Sequence, residues 1–468
     1  MHLRLFRHFV PLSAVILGCL DGLLISWYVV AMDQPSSGFD KVPHGLLSLI
    51  SSPTAIFWFI AVIVMLSIGL YGPRNFATFG MLVNRIAVAS ALMLLISFAF
   101  PPHAHAGTVA ATSAQYPAQP VLIWLLWVTL TRGAVAAGYE LGLLKRRILV
   151  LGSGSEAARI AELAENQRLP FTPVAFVGLA GEDSRIRGDS YVGHAGDDVN
   201  SLAELAKAHG VSEIVVATSE RRGLPVRQLL LCKIAGIQIT EFLDFWERET
   251  RTIDLETLRP SWLFYSDGFR CRVLDAVLKR GFDISVSLAI LLLTLPLQLL
   301  TAVLVKLESP GPIFYRQERI GRYGRVFTIL KFRSMRVDAE GDGNPRWAAE
   351  RDPRVTRIGA VIRKLRIDEL PQLINVLRGE MSFVGPRPER PLFVEQLTQA
   401  IPYYAERHWV RPGITGWAQV NYPYGASIHD AKRKLSFDLY YLKNASIFLD
   451  FLILLQTIPT VLARSGAR

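Results

Sequence analysis

The sequence predicts a membrane α-helical bundle plus an α/β body. The parts are a four-helix transmembrane N-terminal domain, a Rossmann-like middle domain, and a C-terminal monotopic domain with a re-entrant membrane helix. Three observations predict this. Hydrophobic residues make up 51% of the 468 and concentrate before residue 140, with further apolar blocks near 283–305 and 446–462. A glycine-rich turn between a strand pattern and a helix pattern opens α/β alternation after residue 146. From Arg272 onward, charged motifs crowd between prolines and glycines. The length suits about three domains: 1–145 transmembrane, 146–255 Rossmann-like, a linker at 256–271, and 272–468.

Four stretches are apolar and long enough to cross a bilayer, which takes about 20 residues: 10–30, 54–70, 76–100 and 120–139. Asp21 lies inside the first, where a carboxylate is either functional or paired between helices. Arg85 in the third is expected to snorkel, and Arg132 weakens the fourth. Arg4 and Arg7 precede the first stretch, Arg74 separates the second from the third, and Lys145, Arg146 and Arg147 follow the fourth. The other two connections hold only Lys41 among lysines and arginines. Positive charge stays cytoplasmic, so both ends of this bundle face the cytoplasm. A multi-pass membrane protein with cytoplasmic soluble domains is expected.

The block at 284–305 has Lys279 and Arg280 before it and Lys306 after it. Basic residues at both ends favour a helix that dips into one leaflet and returns. Pro296 lies mid-block, where it removes a helix hydrogen bond and kinks the chain. A plain fifth crossing is the alternative. The final apolar block carries Asp450, Gln456 and Pro459 and reads as an interfacial helix.

In the middle region a strand at 147–151 runs into Gly152-Ser153-Gly154-Ser155-Glu156-Ala157 and then a helix. This G-x-G-x-x-A turn is the dinucleotide fingerprint, and Gly152 and Gly154 are its candidate cofactor-binding residues. Strands near 174–177, 213–217 and 237–240 alternate with helices near 202–209 and 224–235. Glu182 and Asp183 lie beyond the second strand rather than at its end, and no Tyr-x-x-x-Lys accompanies the turn. The domain reads as a nucleotide-type binder or as a structural or regulatory body.

The net charge of +11 points to anionic partners. With membrane segments present, lipid headgroups and phosphorylated substrates fit better than nucleic acid, for which there is no signature. Cys19, Cys232 and Cys271 are odd in number, far apart and form no Cys-x-x-Cys pair, which argues against a disulfide framework or a zinc site.

The chemistry concentrates in the last third. Tyr315-Arg316-Gln317-Glu318-Arg319-Ile320-Gly321 leads to Lys331-Phe332-Arg333-Ser334-Met335. Asp352-Pro353-Arg354-Val355-Thr356 and Asp368-Glu369-Leu370-Pro371-Gln372 follow. Pro371 suits the first turn of a helix, placing Asp368 and Glu369 at its start. Of two adjacent carboxylates, one can attack phosphorus and the other can hold Mg²⁺. Gly385-Pro386-Arg387-Pro388-Glu389 locks a guanidinium between prolines, suited to a phosphate. Arg411-Pro412-Gly413-Ile414-Thr415-Gly416-Trp417 is a second glycine/proline loop, with Trp417 expected at the membrane interface.

Taken together and in this order, these motifs resemble the bacterial sugar transferase family, the polyprenyl-phosphate hexose-1-phosphate transferases, over about 270–465. The preceding part is similar to the large subclass, with four spans and a CoA-binding-like domain, as in the initiating transferases of exopolysaccharide synthesis. The resemblance implies Asp368 as nucleophile of a covalent phosphosugar intermediate and Glu369 as Mg²⁺ ligand. It implies Lys331, Arg333 and Arg387 as phosphate ligands, with Arg354 and Glu389 in the same substrate-binding motifs. It also implies undecaprenyl phosphate as acceptor and a UDP-sugar as donor. The family's Ser-Pro at the helix break is replaced here by Leu295-Pro296, with Thr294 one position earlier. No motif reads a sugar hydroxyl, so the sugar stays open. A homodimer through the membrane and middle domains is an expectation only. Competing readings are an NAD-dependent nucleotide-sugar dehydratase or epimerase, a non-catalytic membrane scaffold or sensor, and a glycosyltransferase that releases a nucleoside diphosphate.

Overall fold

A computed structural model describes residues 2–5, 8–32, 53–71, 79–99, 118–166, 169–179, 185–186, 191–194, 201–218, 220, 223–269, 273–336, 354–423, 425 and 427–462. Lys41, Arg74, Glu182, Asp183, Cys271, Asp352 and Pro353 lie outside the described residues. The chain divides into two compact units, the first essentially 9–249 and the second 250–468.

In the first unit, short strands β1 (His2–Leu5) and β2 (His8–Pro11) pair ahead of four apolar helices. These are α1 (Leu12–Met32), α2 (Pro53–Ile68), α3 (Phe79–Ala99) and α4 (Ala118–Glu140). Each packs on the next, and α4 returns to α1. Leu17, Phe57, Trp58, Met65, Met93 and Trp124 form their common core.

Asp21 and Arg132 explain each other. Both are buried, and the guanidinium grips both carboxylate oxygens, at 2.7 Å to Oδ1 and 2.5 Å to Oδ2. Tyr71 Oη and Trp127 Nε1 donate to the same carboxylate at 2.6 and 3.0 Å. Arg85, expected to snorkel, donates to the Ile68 carbonyl at the end of α2. Among the described residues two helices are long and apolar enough to cross a membrane, Pro120–Glu140 and Val273–Glu308.

A wholly parallel five-stranded sheet follows, in the order β5-β4-β3-β6-β7. Its strands are β3 (Arg146–Leu151), β4 (Phe171–Gly178), β5 (Tyr191–His194), β6 (Glu213–Val216) and β7 (Gln238–Glu241). Side chains alternate between faces. Ile148 and Val150 pack towards α5 (Ser155–Asn166) and α8 (Phe242–Thr250). Leu149 and Leu151 pack towards α6 (Ser201–Ala208) and α7 (Val226–Ile234). β5 was not among the expected strands.

Gly152 answers to packing. Its φ is +130°, its amide donates to the Val177 carbonyl, and an added Cβ would lie 2.1 Å from the Ala217 carbonyl oxygen. That accounts for the first glycine of the turn without any ligand. At Gly154 a Cβ would meet nothing within 4 Å.

In the second unit, the stretch expected as a linker contributes α9 (Pro260–Tyr265), while Leu258, Trp262 and Phe269 join the core. Trp417 is buried there rather than at a membrane surface. It stacks on Tyr440 and donates to the Arg251 carbonyl at 3.0 Å.

The long helix α10 (Val273–Glu308) is helical through Pro296, so the expected break is a bend within one helix. Near its start, Arg280 donates to the carbonyls of Val376 and Leu377 at 2.6 and 2.7 Å. Near its end, Val305 packs with Ile362 and Ile367. A straight helix would separate Arg280 from Val305 by roughly 38 Å. Ile367 and Val376 lie on a 3-10 turn and on the short helix that directly follows it, so the two arms must converge. Pro296 has no amide hydrogen, so one helical hydrogen bond is lost at the bend. Thr294 and Thr301 bond back to the carbonyls of Ile290 and Leu297, which bends helices further. Leu292, Leu293, Leu299, Leu300 and Val303 are left exposed along the arms.

Next come the antiparallel strands β8 (Phe314–Ile320) and β9 (Val326–Phe332), then α11 (Arg357–Lys364), a 3-10 turn at Ile367–Glu369, and α12 (Gln372–Arg378). β10 (Ser382–Val384) pairs in parallel with β11 (Gly413–Thr415). Helices α13 (Pro391–Ala400), α14 (Trp417–Asn421), α15 (Ile428–Asn444) and α16 (Ile447–Leu462) complete the unit.

Removing one partner of a buried ion pair strands the other charge, typically at a cost of about 3–5 kcal/mol. Arg132→Met should therefore lower the thermal unfolding temperature in detergent sharply. The double variant with Asp21→Asn should recover much of that loss.

Candidate active site

The site forms where separate stretches of chain bring cations to one carboxylate. Lys331 on β9 donates to Glu369 Oε1 at 3.1 Å, and Arg387 donates to the same oxygen at 2.6 Å. Arg366 stands 3.8 Å from it. Arg366 itself has φ +57°, a left-handed conformation that costs a non-glycine residue roughly 1–2 kcal/mol. It opens the 3-10 turn that carries Asp368 and Glu369 side by side, both buried.

The two carboxylates have opposite surroundings. Asp368 makes no hydrogen bond or ion pair among the described residues and borders a cavity of about 1450 Å³. Burial pushes its pKa up to about 6, helped by the adjacent Glu369 charge and opposed by Lys331, Arg366 and Arg363. Burial would raise Glu369 too, but Arg387, Lys331 and Arg366 outweigh it and hold that carboxyl well below the usual range. One carboxylate is neutralised in advance and fixed, while the other faces the cavity without a partner. That is the division expected of a metal or charge anchor beside a nucleophile.

Glycines let the surrounding loops meet backbone to backbone. A Cβ on Gly385 would lie 2.4 Å from the Arg411 carbonyl oxygen, and one on Gly416 would lie 2.2 Å from the Gly385 carbonyl oxygen. The loop carrying Arg387 is thereby pressed against the loop around β11. A Cβ on Gly359 would lie 2.0 Å from the Ser334 carbonyl oxygen, which ties α11 to the end of β9.

Asp368, Glu369, Lys331 and Arg387 are thus brought together, and Arg354 and Glu389 line the same cavity. Glu389 also stands 3.7 Å from Arg319. Arg333, expected to hold phosphate, borders the cavity too, but its guanidinium is engaged elsewhere. It donates to the Pro310 and Ser309 carbonyls at 2.7 and 2.8 Å, closing the turn after α10. Gly152 and Gly154 belong to the other unit, and Pro296 marks the bend of α10.

Sequence reasoning passed over three contributors. Arg366 sits three residues before Glu369 and could have been found by that spacing. Arg407 carries no motif signal. It is buried, bonds Asp438 at 2.8 Å and Tyr404 Oη at 2.8 Å, and donates to the Arg387 carbonyl at 3.0 Å. Asn375 on α12 bonds both the Leu330 amide and the Thr328 carbonyl of β9, fixing the strand that carries Lys331.

The raised Asp368 pKa has a sign for stability. Its protonated form is the better-tolerated one, so that contribution is complete below about pH 4 and is lost as pH rises through about 6. In metal-free buffer at pH 8, Asp368→Asn should raise the unfolding temperature by the equivalent of roughly 1–2 kcal/mol, with the gain vanishing at pH 4. Glu369→Gln should lower it, because three cations lose their counter-charge. Thermal unfolding at both pH values checks this.

Comparison with known proteins accords with this geometry. A family model described as bacterial sugar transferase matches residues 274–464. A UDP-N-acetylgalactosamine-undecaprenyl-phosphate N-acetylgalactosaminephosphotransferase of Aeromonas hydrophila is 46% identical over 52% of this chain and 56% of that protein. An undecaprenyl-phosphate glucose phosphotransferase of Komagataeibacter xylinus is 35% identical over 67% of this chain and 59% of its own length. The chain thus spans under two thirds of these two relatives. The UDP-glucose:undecaprenyl-phosphate glucose-1-phosphate transferase of Escherichia coli K12 is 34% identical over 72% of this chain and 74% of that protein. On the strength of the motifs, their convergence on Glu369 and these relatives, the chain belongs to the bacterial sugar transferase family.

Proposed function

We propose that this protein transfers a sugar-1-phosphate from a UDP-sugar to undecaprenyl phosphate at the cytoplasmic face of the inner membrane, initiating exopolysaccharide synthesis. The observation that carries the reading is the unpartnered Asp368 beside the triply clamped Glu369, at the wall of a cavity rich in arginine and lysine.

The step balances without redox chemistry or net hydrolysis. An Asp368 carboxylate oxygen attacks the sugar-bearing phosphorus of the donor. The anhydride bond breaks and UMP departs, leaving an aspartyl phosphosugar. A phosphate oxygen of the acceptor then attacks the same phosphorus and the aspartyl–phosphorus bond breaks. This regenerates the carboxylate and yields the polyprenyl-diphosphate sugar. Lys331, Arg366 and Arg387 offset the charge of two anions brought together. Arg407 keeps Arg387 in place through its carbonyl.

Mg²⁺ fits this setting. Among the described residues there is no cluster of three or more metal-type ligands, but Mg²⁺ is usually held by one or two carboxylates plus substrate phosphates. Both hydrogen bonds to Glu369 fall on Oε1, which leaves Oε2 and Asp368 as donors. When bound, the ion would supply charge neutralisation at the diphosphate.

Further assignments belong to the same proposal. The four apolar helices would span the membrane with both ends cytoplasmic, supported by their shared core and the buried Asp21–Arg132 pair. The bent α10 would be re-entrant, supported by its converging arms and exposed leucines. The parallel sheet would be a Rossmann-like, CoA-binding-like body, supported by its strand order.

The test supplies purified protein in nanodiscs with undecaprenyl phosphate, Mg²⁺ and a panel of UDP-sugars, and identifies the nucleotide released. UMP with one donor is expected. Asp368→Asn should cut turnover on the order of 10³-fold or more and abolish the labelled adduct, and Glu369→Gln should cut it by about 10²-fold. Release of UDP, or wild-type turnover in Asp368→Asn, would sink the reading.

A further inference from the structure

Gln372 closes the Asp368-Glu369-Leu370-Pro371-Gln372 motif, and the reaction described above leaves it without a part. Its side chain is 2% exposed, and among the described residues its buried Nε2 has no hydrogen-bond partner. A buried amide in that condition costs the fold stability. A methionine or leucine would fill the same space without the cost. Asn375, three residues on, shows the contrast. Its Nδ2 donates to the Thr328 carbonyl and to Glu380 Oε2 at 2.8 and 2.6 Å, and its Oδ1 accepts from the Leu330 amide at 3.0 Å. One buried carboxamide of α12 is consumed by the fold, and the donor of the other is not.

The 3-10 turn at Ile367–Glu369 runs into α12 without a break. Leu370 and Pro371 keep helical angles, and the amides of Leu370, Leu373 and Ile374 donate to the carbonyls of Ile367, Leu370 and Pro371. Residues four apart on such a run share a face, with Cβ atoms about 5–6 Å from each other, and glutamine and aspartate at that spacing form hydrogen bonds. Gln372 therefore stands one turn from Asp368. Asn375 shares the face with Gln372, and its bonds to Leu330 and Thr328 set that face against β9, the strand that carries Lys331.

The nearby cations converge on Glu369, not on Asp368. A carboxylate that attacks phosphorus uses one oxygen, and a donor on the other oxygen fixes the direction of attack. A neutral amide can do this without adding a full positive charge that would quench the nucleophile. We propose that Gln372 is a positioning residue, its Nε2–H donated to the Asp368 oxygen that does not attack when the substrates are bound. This rests on the transfer reaction proposed above and adds which group aims its nucleophile.

The test removes the amide and keeps its volume. Full-length Gln372→Met and Gln372→Leu are compared with the wild type. Unfolding temperature is measured in detergent. In nanodiscs, kcat, both KM values and the single-turnover rate of labelled adduct formation are measured with undecaprenyl phosphate and the UDP-sugar that the wild type accepts. Both variants should unfold at or above the wild-type temperature. Their kcat and adduct rate should fall roughly tenfold or more, with both KM values held within about twofold. Asn375→Leu, which strips the Leu330 amide of its acceptor, should instead lower the unfolding temperature. Wild-type kcat in the two Gln372 variants would overturn the proposal. So would a loss confined to KM, or a fall in unfolding temperature matching that of Asn375→Leu, because the amide would then be structural. If one variant does not fold, the other carries the test, and failure of both to fold would overturn the positioning role. Wild-type protein that transfers without an adduct, or transfers nothing, would overturn the nucleophile and its positioning together. That outcome is read in the wild type alone and is thereby distinct from a failure in the variants.

Discussion

A single carboxylate oxygen, Glu369 Oε1, is the meeting point of Lys331, Arg366 and Arg387. These cations come from a strand, from a left-handed residue before a 3-10 turn, and from a loop locked by prolines. Without their shared counter-ion they would repel one another in a partly dehydrated wall, where charges interact more strongly than in water. Much of the surrounding architecture serves to bring them there. Asn375 fixes the strand under Lys331, Arg407 holds the carbonyl of Arg387, and Gly385 and Gly416 let two loops pack with no side chain between them. Among the described residues Asp368 is left without a hydrogen-bonding or ion-pair partner, while Glu369 holds the nearby cations.

The same body grips both arms of α10. Arg280 caps carbonyls at the end of α12, and Arg333 closes the turn that follows the second arm. The chain between those grips is apolar and outward-facing, and Pro296 with its two neighbouring threonines lets it turn. The course of the helix and the position of the carboxylates are therefore set by one shared set of contacts rather than by a free tether.

How much of this was legible beforehand depended on the range of the signal. The apolar runs, the strand–glycine–helix turn and the order of the charged motifs are local and could be read directly, as could Asp368, Glu369, Lys331 and Arg387. The β8–β9 pair was missed because the alternation in β8 is between charged and half-buried residues, Arg316 and Glu318 against Tyr315 and Gln317, with no apolar stripe to mark that strand. Arg333 looked like a phosphate ligand because its motif is shared with Lys331. Adjacent strand residues point to opposite faces, but the two lie two positions apart, and only the neighbouring turn at Ser309–Pro310 decides where the guanidinium goes. Trp417 looked interfacial because no local pattern reveals Tyr440 and the Arg251 carbonyl as its partners. The Arg407–Asp438 pair joins positions far apart in sequence and had no signal at all.

The Asp21–Arg132 pair has a consequence for how the protein is made. The two residues are 111 positions apart. Chains grow at roughly 5–20 residues per second, so α1 exists for several seconds or more before its arginine is synthesised. During that interval a carboxylate sits in an apolar helix with no counter-charge. The N-terminal bundle is therefore sealed by its last helix, and a chain cut short before α4 would carry an unsealed charge.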